Sequence, residues 1–250
     1  MSCYKCTVRM AQLLGSRSCQ EDAISVSSNR VFVERGLLLV LTDGMGGMAN
    51  GDQFSQLVAD EMQHAFLAID PKLPMKEILI KCFDQAQKKA AAMNEGADEN
   101  GGSTMIAVFI RKGRCAFLSV GDSRLALVRN NGLIWLNRPH VMGTKIDENV
   151  ALGYLGKEDA QGSLLRDAVT MFMGSKSSIS PDICTAPFKL VRGDRIALMS
   201  DGISGTLDEQ ELLSLLTGRK NRIADEIIQA VETKKKPKQD NGSIIVAVVE

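Results

Sequence analysis

The chain has 250 residues, 44% of them apolar, with thirty basic and thirty acidic residues. That is ample apolar material for a packed core, and formal neutrality excludes a protein that finds nucleic acid or a membrane surface by bulk charge. Without a Pro-rich or Ser/Gly-rich linker it reads as one domain over 1–250, and the start, Met1 to Met10, has no apolar block of the kind a signal peptide or anchor needs. A soluble, cytoplasmic monomer is expected.

The six cysteines, at 3, 6, 19, 82, 115 and 184, are irregularly spaced and predict no disulfides. Cys3 and Cys6 form a C-x-x-C pair, but no second pair or nearby histidine completes a zinc site.

In chain order, Leu37 to Leu41 is a strand-like apolar run ending at Asp43. Apolar residues at Phe54, Leu57, Val58, Met62, Phe66 and Leu67 then predict an amphipathic helix. A second follows from Met75, through Ile78, Leu79, Cys82, Phe83, Ala86, Ala90 and Met93. Strands are predicted over 104–110, 115–120, 125–129 and 133–136, joined by turns at Lys112-Gly113 and Asn131-Gly132. The stretch 142–180 is the least regular and reads as a flap. A strand over 195–199, helices near 208–216 and 223–231, and a terminal strand over 243–249 complete the chain. Strands in antiparallel runs and helices in pairs predict an α+β layered domain rather than alternating β-α-β.

Short acidic segments recur along the chain, Glu21-Asp22, Asp43-Gly44, Gly121-Asp122-Ser123, Asp201-Gly202 and Asp240-Asn241, and in most of them one of these apolar runs leads directly into or out of the carboxylate. Carboxylates gathered at strand ends repel and stay ionised only around a cation. Oxygen ligands suit Mg²⁺ or Mn²⁺, whereas two histidines, His64 and His140, are too few for typical zinc catalysis. Two such ions about 3.5 to 4 Å apart can share and activate a water for in-line attack on phosphorus. Arg17, four residues before Glu21, could present a fork to phosphate oxygens. Each motif alone is weak, because Asp-Gly and Asp-Asn are common turn sequences.

Their order is more specific. Arg17-Ser-Cys-Gln-Glu21-Asp22-Ala23, Asp43-Gly44-Met45-Gly46-Gly47 with Gly51, Gly102-Ser103-Thr104, Gly121-Asp122-Ser123-Arg124, Ser200-Asp201-Gly202 and Asp240-Asn241-Gly242-Ser243 together resemble the metal-dependent protein phosphatases of type 2C, in their compact bacterial form. The resemblance spans nearly the whole chain. It implies a four-layer α/β/β/α sandwich, two antiparallel sheets flanked by helix pairs, with Mg²⁺ or Mn²⁺ at one end as two ions with room for a third. It further implies that Asp43 bridges the ions, Gly44 lends its carbonyl, and Asp201 and Asp240 complete one shell. Glu21 and Asp22 would act through waters, Asp122 would hold a third ion with Asp201, and Arg17 would hold substrate phosphate. The implied reaction is direct hydrolysis of phosphoserine and phosphothreonine on proteins modified by a Ser/Thr kinase.

One departure stands out. Family members carry a histidine at one of two places that are Met45 and Met48 here, so no side-chain acid for the leaving oxygen is visible at a matched position. His140 or a metal-held water are the alternatives for that proton. A phosphatase of small phosphorylated metabolites, or a phosphoprotein binder without turnover, are the alternative functions.

Overall fold

The computed structural model describes residues 5–45, 50–95, 101–161 and 163–250. Cys3, Gly46, Gly47 and Met48 lie outside them.

Two antiparallel sheets face each other. The first runs β1 (Cys6–Leu13), β11 (Gly242–Val249), β10 (Arg195–Met199), β6 (Arg124–Arg129) and β7 (Gly132–Trp135) in spatial order. The second runs β2 (Asp22–Val26), β3 (Leu37–Asp43), β4 (Met105–Arg111), β5 (Arg114–Val120) and the two-residue β8 (Asp182–Ile183), with β9 (Phe188–Lys189) also on β5.

The terminal strand shows why its sequence is apolar without alternation. Ile245, Ala247 and Val249 face the opposite sheet, while Ile244, Val246 and Val248 face a second core under α7 (Glu209–Thr217) and α8 (Ile223–Thr233). A strand covered on both faces has no reason to place a polar residue at every second position. Leu37 to Leu41 in β3 follow the same rule, buried between the opposite sheet and the paired helices α2 (Gly51–Ala68) and α3 (Met75–Met93). The order helix pair, sheet, sheet, helix pair is the predicted four-layer α+β sandwich.

Several expectations shift in detail. Leu67, assigned to the buried stripe of α2, is exposed, because Phe66 already fills the position against Phe109. The predicted Asn131-Gly132 turn is centred one residue earlier. Asn130 and Asn131 take φ of 52° and 57°, the left-handed pair of a tight hairpin, and Gly132 opens β7 opposite Arg129. Strands β1 and β2 and helix α1 (Asn29–Arg35) were not anticipated, since β1 is only partly buried and mixes charged with apolar residues. The flap is less irregular than its composition suggests. It holds α4 (Met142–Ala151) and α5 (Lys157–Gln161), and is tied to the sandwich by Thr170 N–H donating to His140 O at 2.8 Å and by reciprocal bonds of Ser103 and Met173. Among the described residues no helix is long and apolar enough to cross a membrane. Cys6, Cys19, Cys82, Cys115 and Cys184 are all free.

Candidate metal centre

The acidic segments meet at one end of the two sheets because the register brings them there. Asp22, the first residue of β2, pairs directly with Asp43, the last of β3. Asp201 follows β10 as the first residue of α6 (Asp201–Ser204), and Asp240 precedes β11, the neighbour of β10.

Close backbone approach, rather than turn geometry, explains the two Asp-Gly pairs. A Cβ on Gly44 would stand 2.3 Å from Gly51 O and 2.7 Å from Glu21 O. One on Gly202 would stand 1.8 Å from Asn241 O. Neither glycine needs a left-handed φ; each is small because two loops touch through it.

Asn241 is the joint of the remaining loop. Its Oδ1 accepts from Glu21 N–H at 2.9 Å, and its Nδ2 donates to Leu14 O at 2.8 Å and Cys19 O at 3.1 Å. Those bonds hold the Arg17–Glu21 segment against the start of β11. Thr104 performs a similar service for Asp43, taking its N–H on Oγ1 at 3.1 Å and donating N–H to its carbonyl at 2.8 Å. Neither residue is a carboxylate, so nothing in a pattern of acidic loops marks them as site builders, although Thr104 and Asn241 stand inside the ordered motifs.

Electrostatically the cluster is strained. Burial, reinforced by Asp22, Asp201, Asp122 and Asp240, raises the Asp43 carboxyl well above the usual range. Asp22 is pushed up to about 6, chiefly by burial, with bonds from Ser243 and Ser200 opposing. Asp122 is likewise pushed up to about 6 by burial and then by Asp201. Burial, and then Asp240, raises Asp201; burial also raises Glu21, against the pull of Arg17. Ser200 Oγ donates to Asp22 Oδ2 at 2.9 Å, but buried Asp22 Oδ1 has no partner among the described residues. An unpaired carboxylate oxygen inside a like-charged cluster is what a cation would repair.

The donor set fits Mg²⁺ or Mn²⁺, all oxygens with a backbone carbonyl at Gly44 available. The side chains are not drawn into a ready cage, since among the described residues no three acidic, His or Cys groups form one. Arg17 sits at the rim, its Nη2 donating to Asp240 Oδ2 at 2.7 Å.

Asp122, Asp201 and Asp240 share a cavity of about 570 Å³ with Asp167 from the flap, a carboxylate that no motif flagged. His140 is elsewhere. Its Nδ1 accepts from Gly121 N–H at 3.2 Å, and its ring lines a neighbouring cavity with Thr144 and Thr170. His64 is exposed on α2, near Glu61. Neither histidine lines the carboxylate cavity.

The family model for protein phosphatase 2C matches residues 14–236. The serine/threonine phosphatase stp of Listeria welshimeri is 28% identical over 189 residues, which cover 74% of this chain and 73% of that protein. Among solved structures, the serine/threonine phosphatase of S. agalactiae superposes with a TM-score of 0.83 at 23% identity, covering 98% of this chain and 100% of that one. The catalytic domain of the phosphatase PstP, solved in complex with 2 manganese ions, superposes with a TM-score of 0.77 at 24% identity, covering 98% and 99%. At these identities the superpositions establish the shared fold.

Proposed function

The chain belongs to the protein phosphatase 2C family, and from that membership we propose that it hydrolyses phosphoserine and phosphothreonine esters on proteins, with two Mg²⁺ or Mn²⁺ ions as cofactor and Asp122 placed for a third. The observation that carries the reading is the convergence of Asp22, Asp43, Asp122 and Asp201 beside Asp240, with burial and mutual repulsion raising the carboxyls of the first four. A cluster so costly without a cation is hard to account for in a domain that only binds phosphoproteins.

When bound, the two ions would supply charge to neutralise the phosphate and an activated water for direct attack, with no covalent enzyme intermediate. The chain's own groups do the rest. Asp43, at the centre of the repulsion, Asp201, Asp240 and the Gly44 carbonyl would hold the ions. Glu21 and the buried Asp22 would act on the ions through water. Arg17, which already points its guanidinium at the cluster, holds a non-reacting phosphate oxygen and trades its Asp240 contact for the substrate. No histidine is positioned to protonate the leaving oxygen among the described residues. The stp and PstP names support the choice of Ser/Thr phosphatase chemistry, and the manganese in PstP supports the choice of ion.

The test is hydrolysis of a phosphothreonine peptide with Mn²⁺, against a chelator control and a sugar phosphate. Chelator-sensitive turnover of the peptide is expected. A preference for the sugar phosphate would move the activity to small metabolites.

A further inference from the structure

The carboxylate cavity does not end at the acidic cluster. Arg124 and Trp135, on paired strands β6 and β7, form part of its wall. The guanidinium carbon of Arg124 lies 4.2 Å from the centroid of the Trp135 ring, a stacked cation–π contact. The indole is itself fixed, Nε1 donating to Glu209 Oε2 at 3.0 Å.

The arginine is partly buried, and no described residue hydrogen-bonds its guanidinium; its Nε is buried and unpaired. Several other arginines around the sandwich are engaged. Arg129 grips Asp194 at 2.6 Å, Arg166 meets Asp147 at 2.8 Å, and Arg195 donates to Gly218 O at 3.0 Å. Arg124 thus holds a partly desolvated charge with open donors, opposed only through space by Glu209. Glu209, whose Oε2 accepts from the indole, acts on Arg124 through space but does not take its hydrogen bonds. The indole holds the guanidinium in place, and its two Nη groups, which no described residue takes, suit a two-point grip on an oxyanion. Lys236 and Lys238 add two ammonium groups to the same cavity, that of Lys236 donating to Gly205 O at 3.1 Å.

We propose that Arg124, stacked on Trp135 and supported by Lys236 and Lys238, is a specificity-determining subsite that grips an anionic side chain flanking the phosphorylated residue of the substrate. The inference rests on the phosphatase reading above and adds a substrate class to it, phosphopeptides with an acidic flank. The anion is a carboxylate or a second phosphoryl group, and the shared chemistry is a multi-oxygen anion of a size that one guanidinium edge can hold.

The test compares kcat/KM on phosphothreonine peptides whose flanking positions carry Ala, Glu or phosphoserine, together with an activated aryl phosphate that has no flank. The wild-type protein with Mn²⁺ is expected to favour the Glu or phosphoserine peptide over the Ala peptide about tenfold. Which of the two is favoured identifies the anion. Arg124→Gln should collapse that ratio to near one, and Arg124→Lys should restore it only in part, because an ammonium cannot fork. Should Arg124→Gln fail to fold, Lys236→Gln combined with Lys238→Gln, at exposed positions, should still reduce the ratio. Equal kcat/KM on all three peptides in the wild type, with the aryl phosphate turned over, overturns the subsite and leaves the phosphatase standing. No turnover of any substrate overturns the phosphatase reading itself.

Discussion

Arg17 Nη2 donates to Asp240 Oδ2 at 2.7 Å, while its Nη1 stands 3.9 Å from Glu21 Oε2. The cation assigned to the substrate's phosphate therefore rests on a carboxylate assigned to metal, and substrate and metal each draw on one end of the same ion pair. Arg17→Ala removes the phosphate contact but frees Asp240. The expected result is a rise in KM for phosphopeptide of about tenfold or more, with Mn²⁺ affinity unchanged or tighter. Steady-state kinetics and a Mn²⁺ titration check this, and a large loss of Mn²⁺ affinity contradicts the assignment.

Asn in place of Asp43, Asp201 or Asp240 keeps size and removes a negative ligand. Each single variant should lose at least about a hundredfold in kcat/KM at saturating Mn²⁺, since polarisation by a metal is worth several kcal/mol in the transition state. For Asp43→Asn the metal-free fold should gain stability at pH 7.5, because a buried carboxylate raised well above its usual range by burial and its neighbours is gone. Activity assays and thermal melts in chelator read both effects. Near wild-type turnover in all three variants removes the proposed centre.

Stability of the metal-free protein should depend on pH in a defined window. Asp22 and Asp122 are pushed up to about 6 in the fold, from about 4 in an unfolded chain. The folded state therefore binds these protons more tightly, and their contribution is full below about pH 4 and lost as pH rises through about 6. Melting temperature in chelator should fall from pH 4.5 to 7, and Mn²⁺ should flatten the decline by giving the ionised carboxylates a partner. Asp122→Asn should show a shallower fall than wild type; parallel curves for the two proteins count against the shifted Asp122.

With His140 clamped on Gly121 and His64 exposed, leaving-group chemistry should dominate the rate. An activated aryl phosphate, whose phenolate leaves without a proton, should be turned over with a higher kcat than a phosphoserine peptide. His140→Asn, which can still offer an acceptor to Gly121 N–H, should leave the ratio of the two unchanged. His140→Ala should cost about 1 to 3 kcal/mol of stability through the orphaned amide. Equal kcat on both substrates in wild type, with a bell-shaped pH profile that disappears in His140→Asn, would make His140 the acid.

Gly202→Ala places a methyl 1.8 Å from Asn241 O, so the loops carrying Asp201 and Asp240 must part. A stability loss of about 2 kcal/mol or more is expected from the overlap, together with weaker Mn²⁺ binding. Urea unfolding and metal titration measure the two, and a variant with unaltered Mn²⁺ affinity would show that the loop spacing is not what holds the ligands.

The local chemistry was legible in the residues themselves. Apolar runs such as Ile244 to Val249 and helical stripes such as Ile78, Leu79, Cys82 and Phe83 declared their elements, because burial on both faces or on one stripe leaves its mark on composition. The ordered acidic motifs declared the family. What they could not declare is distance. Asp22 and Asp43 meet only through the register of β2 on β3, and Asp201 meets Asp240 only because β10 lies beside β11. The same holds for Arg124, which closes one of those motifs, and Trp135, which meets it across a hairpin, and for Asp167, carried into the cavity by the stretch 142–180, whose helices its polar composition had hidden. Residue type fixes which groups can hold charge, metal or phosphate; antiparallel pairing and loop contact, summed over long separations in the chain, fix which of them share a cavity and so which of them repel, pair or remain open to a substrate.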